Sequence, residues 1–256
     1  MEKKLFYTLT PEGTEVLRDL KSEGEKFTLE DYNDGKFDGN NYMWYEMFDH
    51  YVYDDLGCDY ERYGCHIKEG DVVLDLGGNI GIFAHRAEIR GASKVISFEP
   101  LSPTFNCLIK NKGPKTEVYK NAVGGKNGHT TFELHTDYTH IGGGTNTKSV
   151  MEINNRNVIH SEKAIVIGIN EIFDMFDKKI NFMKVDIEGA EIDVLNSISD
   201  ENLQSLRCLA TEFHILNESY EKFQDYFISR MEKLGFTYFN LIHGSGFLRT
   251  LTFWKK

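Results

Sequence analysis

Nowhere in these 256 residues do more than two lysines or arginines stand side by side, and 29 basic residues face 40 acidic ones for a formal charge of −11. A surface of that sign repels phosphate backbones and anionic lipid, so neither a nucleic acid nor a membrane is expected as a partner. Cysteine is scarce as well: Cys58, Cys65, Cys107 and Cys208 are scattered with no C-x-x-C pair. Cys65 abuts His66, but no second ligand pair completes a zinc site, so no metal is expected. Isolated thiols fit a reducing setting, which makes the expected location cytoplasmic. No apolar window reaches the length of a membrane-spanning helix, and the opening MEKKLFYTLTPEG lacks the apolar core of a secretory leader. Internal repeats and linker-like stretches are missing too. The length suits a single domain over 1–256 with additions to an α/β core better than two domains.

What the chain does have is concentrated between Asp71 and Pro100, read DVVLDLGGNIGIFAHRAEIRGASKVISFEP. Val72, Val73, Leu74 and Leu76 form the short apolar run of a buried parallel strand. Gly77, Gly78 and Gly81 then make a turn, after which Ile80, Phe83, Ala84 and Ala87 keep helical spacing. Gly91 is placed to end that helix, and Val95 to Phe98 begin a second strand that stops on Glu99.

A strand, glycine turn, helix, strand unit has a use. Glycine lets the backbone pass close under a ligand, and a helix start offers unpaired N–H groups. A carboxylate at the tip of the next strand can accept from both hydroxyls of a ribose. A dinucleotide fold wants G-x-G-x-x-G, but Asn79 and Ile82 occupy the second and third glycine positions counted from Gly77. Asp75 before the turn would repel a pyrophosphate and attract an ammonium group. The turn therefore suits the methionine end of S-adenosylmethionine better than it suits NAD.

Together with Lys184 to Glu191, read K-V-D-I-E-G-A-E, the segments D-L-G-G-N-I-G and S-F-E-P resemble the FkbM-type family of S-adenosylmethionine-dependent methyltransferases. The first two motifs point to the broad Rossmann-like class, and the third narrows it. The similarity runs from about Tyr60 to Phe213. One departure is Ile169-Asn170-Glu171, where the family has a Leu-Asp-Asp-like segment. The resemblance implies a Rossmann-like class I methyltransferase fold: α/β, a mostly parallel seven-stranded sheet, helices on both faces and an antiparallel final strand. The implied cofactor is S-adenosylmethionine, held by Asp75, Gly77, Gly78, Asn79, Gly81, Glu99, Pro100, Asn121 and Asp186. For Asn121 the residues themselves leave two readings, an adenine contact or a turn cap. Glu61, Arg62 and Tyr63 stand where related enzymes often touch the methionine end.

Within the single domain, residues 1–63 read as an N-terminal extension or cover and 64–256 as the core, with a loop-rich insertion at 124–162. The aromatic stretch from Tyr42 to Tyr63 either packs over the sheet edge or covers the pocket. Ser102 and Pro103 look like the N-cap and first residue of a helix, and Asn170 like the cap of another. Strands are expected over 117–119, 130–134, 163–169, 182–185, 208–211, 236–241 and 248–254. Ile141-Gly142-Gly143-Gly144-Thr145 reads as an exposed loop or a lid. Glu188 is expected to open the helix after the fourth core strand.

Methyl transfer to a hydroxyl also requires that its proton leave, which calls for a base. His214 is the first candidate, since an unperturbed imidazole titrates near about 6.5, with Asp186 and Glu188 as the others. The expected acceptor is a hydroxyl of a sugar, glycan or other small metabolite. No N/D-P-P-Y signature or Pro-Cys pair for base methylation is present. An NAD-linked oxidoreductase and a non-catalytic cofactor-binding protein are the competing classes.

Overall fold

The computed structural model describes residues 58–135, 158–215, 217–243 and 248–255. The aromatic residues of 42–57 and the glycine loop 141–145 lie outside the described residues.

Strand β1 (Val72–Leu76), helix α1 (Ile82–Ile89), strand β2 (Lys94–Phe98), helix α2 (Ser102–Asn111) and strand β3 (Thr116–Tyr119) follow one another as the apolar spacing predicts. Next come β4 (Ala122–Gly124), β5 (Gly128–His135) and β6 (Val158–Gly168), then helix α3 (Ile169–Met175). The chain continues through β7 (Phe182–Val185), α4 (Glu191–Ser197), α5 (Asp200–Ser205) and β8 (Cys208–His214). It ends with α6 (Glu218–Lys233), β9 (Thr237–His243) and β10 (Leu248–Trp254).

Seven strands form one sheet in the order β3-β2-β1-β7-β8-β10-β9. The pairs among β3, β2, β1, β7 and β8 are parallel, and β10 runs antiparallel to both of its neighbours. The chain builds outward from β1 to β3 and then returns to the other side of β1. The carboxyl ends of β1 and β7 thus flank the point where strand order reverses, the usual place for a ligand in such sheets.

Side-chain alternation along the strands serves two cores. Val73, Val95, Phe182 and Ala210 meet Phe83, Ala84 and Ala87 of α1 on one face. Leu74, Ile96, Met183 and Leu209 meet Phe173, Val194, Leu195, Phe227 and Met231 on the other. Each of these large side chains contributes about 1.5–3 kcal/mol by leaving water. Helices on both faces of a mostly parallel sheet are what the sequence predicts.

Three local expectations need correction. Ser102 lies inside α2 behind the cap residue Leu101, and its N–H donates to Glu162 of β6 at 2.9 Å. Gly168, not Asn170, caps α3. The Asn170 side chain instead joins the end of α4 to α5, donating to the Ser197 carbonyl and accepting from the Ser199 N–H. The strand expected over 163–169 starts earlier, at Val158 inside the stretch expected to be loop-rich, and with β4 and the expected strand β5 it forms a second, three-stranded sheet. A small cluster of Leu101, Ala122, Phe132 and Ala164 packs that sheet beside the end of β2.

Candidate active site

A polar row crosses the middle of the main sheet at one level. Ser97, Asp75 and Lys184 are paired in register on β2, β1 and β7, and all three are buried. Ser97 Oγ donates to Asp75 Oδ2 at 2.8 Å, and Lys184 Nζ lies 3.3 Å from Asp75 Oδ1. Lys184 also donates to the Gly77 carbonyl at 2.7 Å. Burial works against the Lys184 cation, yet Asp75 and Asp186 hold its pKa above the usual lysine value. The ammonium group that Asp75 calls for is therefore supplied by the chain itself. With none of its surface exposed, Asp75 does not face the cleft described below.

Beyond this row the glycine turn lifts the chain over the sheet. Gly77 takes φ +83, and a Cβ there would meet the Asp186 carbonyl oxygen at 1.7 Å, so only glycine fits. The Gly77 and Gly78 N–H groups both donate to the Phe98 carbonyl. Asn79, at φ 48, donates its N–H to Glu99 Oε2 at 2.9 Å. The other carboxylate oxygen, Glu99 Oε1, accepts from the Leu101 N–H and the Thr104 hydroxyl. Burial raises the Glu99 pKa, and these donors work against the rise. Gly78 and Gly81 pack toward Ser97 and Leu108 and do not line the cleft.

The K-V-D-I-E-G-A-E stretch forms the end of β7 and a strained turn. Glu188 takes φ 53 and Gly189 φ 108, and α4 starts only at Glu191. Glu188 thus belongs to the turn and not to the helix. Glu191, almost fully buried, accepts the N–H groups of Ile187 and Gly189 and so fixes the turn's shape. Asp186 and Glu188 are left facing outward from it.

These acids meet others from β8. His214 Nε2 lies 3.4 Å from Glu188 Oε2 and 3.8 Å from Glu212 Oε1, with Nδ1 3.7 Å from Glu191 Oε1. Both Glu212 and His214 belong to β8, which runs three residues past its expected end. Burial pulls the His214 pKa down, but Glu191, Glu188 and Glu212 outweigh it and raise the value to about 10. These carboxylates therefore favour the cationic form of His214, which works against a role as the base. Burial and the Asp186 charge push Glu188 up to about 7 and Glu212 up to about 8, against the pull of His214.

One participant was invisible in the sequence. Tyr60 places its hydroxyl 2.9 Å from Asp186 Oδ2 and 2.9 Å from Glu212 Oε2, while its ring meets Phe83 edge-on at 5.8 Å. The neighbouring residues go elsewhere. Glu61 forms a buried ion pair with Arg86 of α1, Arg62 pairs with Asp59, and Tyr63 packs on Phe239. Membership of an aromatic-rich stretch was the only sequence signal for Tyr60.

A cleft of about 590 Å³, its open mouth included, lies over the carboxyl ends of β1, β2 and β7. Gly77, Asn79, Glu99, Pro100, Asn121, Asp186 and Glu188 line it, so seven of the expected site residues come together there. Ala122 and Val123 of β4 and Phe132 of β5 close one wall, a contribution of the second sheet that the sequence did not reveal. His214 stands behind Glu188. Among the described residues no group of three or more His, Cys, Asp or Glu is arranged to hold a metal, and no helix is long and apolar enough to cross a membrane.

The family model described as the methyltransferase FkbM domain matches residues 75–238. The chain belongs to the FkbM methyltransferase family. Among curated relatives, this FkbM chain is 26% identical to the AMB antimetabolite synthetase AmbE of Pseudomonas aeruginosa over 64% of its length. It is 27% identical to the hexuronic acid methyltransferase AglP of Haloferax volcanii over 57% of its length. It spans only 9% of the first relative and 57% of the second. The crystal structure of a methyltransferase FkbM from Methylobacillus flagellatus KT aligns with a TM-score of 0.48 at 14% identity, covering 94% of this chain and 58% of that one.

Proposed function

We propose that this FkbM domain transfers a methyl group from S-adenosylmethionine to a hydroxyl of a sugar, glycan or other small metabolite in the cytoplasm. The observation that carries the reading is the set of acids lining the cleft, Glu99 from the tip of β2 and Asp186 and Glu188 from the turn after β7. S-adenosylmethionine is a sulfonium that also bears an ammonium group and a ribose diol, so its polar groups call for acceptors of this kind. Asp186 Oδ1 adds an independent fit: it is buried and has no hydrogen-bond partner among the described residues. Glu99 would take the ribose hydroxyls, Asp186 the amino group, and Asn121 with Phe132 the adenine.

When bound, the cofactor supplies a methyl group already activated for displacement. The protein's share is alignment, exclusion of water and removal of the hydroxyl proton. Glu188 suits the last task, because it lines the cleft and titrates near neutral pH. Its left-handed backbone is the kind of strain that collects at working sites. His214, as a fixed cation behind it, favours its ionised form. A small hydroxyl acceptor is supported by the name of the Haloferax relative, a methyltransferase of hexuronic acid.

Thermal unfolding with excess S-adenosylmethionine, S-adenosylhomocysteine or NAD tests the cofactor. A ligand at about a hundred times its Kd adds roughly 2.7 kcal/mol, enough to raise the midpoint by a few degrees. The two methionine cofactors should do so and NAD should not; a shift with NAD alone would overturn the proposal. Isotopic methyl transfer to a panel of neutral sugars, uronic acids and glycans then separates an enzyme from a protein that only binds the cofactor.

A further inference from the structure

The Tyr60 hydroxyl has one proton and two carboxyl neighbours, each at 2.9 Å. Two ionised carboxylates cannot both receive that proton in a linear hydrogen bond. A second proton is needed, and a protonated carboxyl that donates to the Tyr60 oxygen provides it. The surroundings decide which acid carries it. Lys184 Nζ lies 3.5 Å from Asp186 Oδ2, on the same oxygen that Tyr60 approaches, so a cation already stands beside that acid. Glu212 has Tyr60 on one oxygen and His214 at 3.8 Å from the other, and lies close to Asp186 and Glu188. Burial and these like charges raise the Glu212 pKa to about 8, the direction expected of the acid that keeps the proton.

We propose that Tyr60 is a positioning residue that accepts a hydrogen bond from a neutral Glu212 and donates one to Asp186, and thereby turns Asp186 Oδ1 toward the amino group of the ligand. The chain of hydrogen bonds runs from the Glu212 carboxyl to the Tyr60 oxygen and from the Tyr60 hydroxyl to Asp186 Oδ2. With Oδ2 held by Tyr60 and Lys184, Oδ1 has a fixed direction and remains open as an acceptor. This rests on the S-adenosylmethionine reading only for the identity of the amino group; the shared proton does not depend on it.

The variant Tyr60→Phe keeps the ring that packs on Phe83 and removes only the hydroxyl, so it should fold. Two measurements are made on the full chain. The first is the ligand-free titration of side-chain carboxyls by carbon NMR, with Glu212→Gln used to assign the Glu212 signal. The second is calorimetric binding of S-adenosylmethionine at pH 7. In Tyr60→Phe the Glu212 titration should move, and the cofactor Kd should rise by about tenfold, the loss of one hydrogen bond to a charged group. Glu212→Gln, whose amide can still donate to Tyr60, should bind within about threefold of wild type, whereas Asp186→Asn should lose more than about tenfold. An unmoved Glu212 titration overturns the shared proton whether or not the cofactor binds. A moved titration with unchanged affinity overturns the positioning role. If the wild type binds no S-adenosylmethionine, the cofactor reading falls and the orienting role with it, while the titration still decides the shared proton.

Discussion

Lys184 and Asp75 face each other across adjacent parallel strands, Nζ 3.3 Å from Oδ1, with 4% and 0% of their side chains exposed. A buried pair of this kind is costly to break from one side, because the remaining charge has no compensation. Lys184→Met should therefore destabilise the protein by about 3–5 kcal/mol in urea unfolding. Combining it with Asp75→Asn should restore much of that loss, since the amide still accepts from Ser97 and carries no charge. A single Lys184→Met variant as stable as wild type would show that Asp75 carries no buried charge.

The glycine turn makes a sharper steric prediction. Gly77→Ala places a methyl 1.7 Å from the Asp186 carbonyl and holds a non-glycine residue at φ +83. Backbone against backbone leaves nothing flexible to give way, so a loss of about 3 kcal/mol or more is expected. Asn79→Gly is the contrast. Its φ of 48 suits glycine and its N–H to Glu99 is kept, so its unfolding midpoint should stay within about 1 kcal/mol of wild type.

Stability should also fall with rising pH across the neutral range. Glu188 and Glu212 keep their protons to about 7 and about 8 in the native state, against 4.5 for an ordinary glutamate. His214 keeps its proton to about 10 against 6.5. In all three the folded value is the higher, so between about pH 5 and pH 10 the native state binds more protons than the unfolded chain. What these groups contribute is present at the acid end of that window and lost toward its alkaline end. Each pKa unit corresponds to about 1.4 kcal/mol for a shielded group and less for Glu188, whose side chain is 35% exposed. Urea midpoints that stay flat or rise from pH 5 to 9 would contradict the arrangement of the cluster. Glu212→Gln should reduce the slope.

Where the sequence was readable, the signal was local. The runs at Val72–Leu76 and Phe182–Val185 announce buried strands, and the acids at their tips follow from strand ends. The acid before the glycine turn announced a missing cation, but not that the cation is Lys184, more than a hundred residues away in sequence. Tyr60 meets Asp186 and Glu212 across 126 and 152 residues, and no periodicity records such a contact. Two strands of the second sheet were legible, but β4 is only three residues long, shorter than a pattern can resolve, and no local signal shows that the three pair apart from the main sheet. The surroundings of His214 were hidden in the same way. Its own residue type suggests a near-neutral pKa, and two of the carboxylates that raise it, Glu188 and Glu191, come from another segment of the fold.

That reversal gives the sharpest kinetic test. If Glu188 takes the acceptor's proton, Glu188→Gln should cost about 10²–10⁴-fold in kcat with little change in cofactor affinity. His214→Gln should behave differently. It removes the cation facing Glu188 and Glu212, so both acids keep their protons to higher pH. The acid limb of the kcat profile should then move to the alkaline side, and activity should return toward wild type at about pH 9, where Glu188 is ionised again. A base lost outright would leave the rate down by about 10²–10⁴-fold at every pH. Recovery at high pH thus marks His214 as the cation that tunes Glu188, and a uniform loss would return the catalytic role to the histidine.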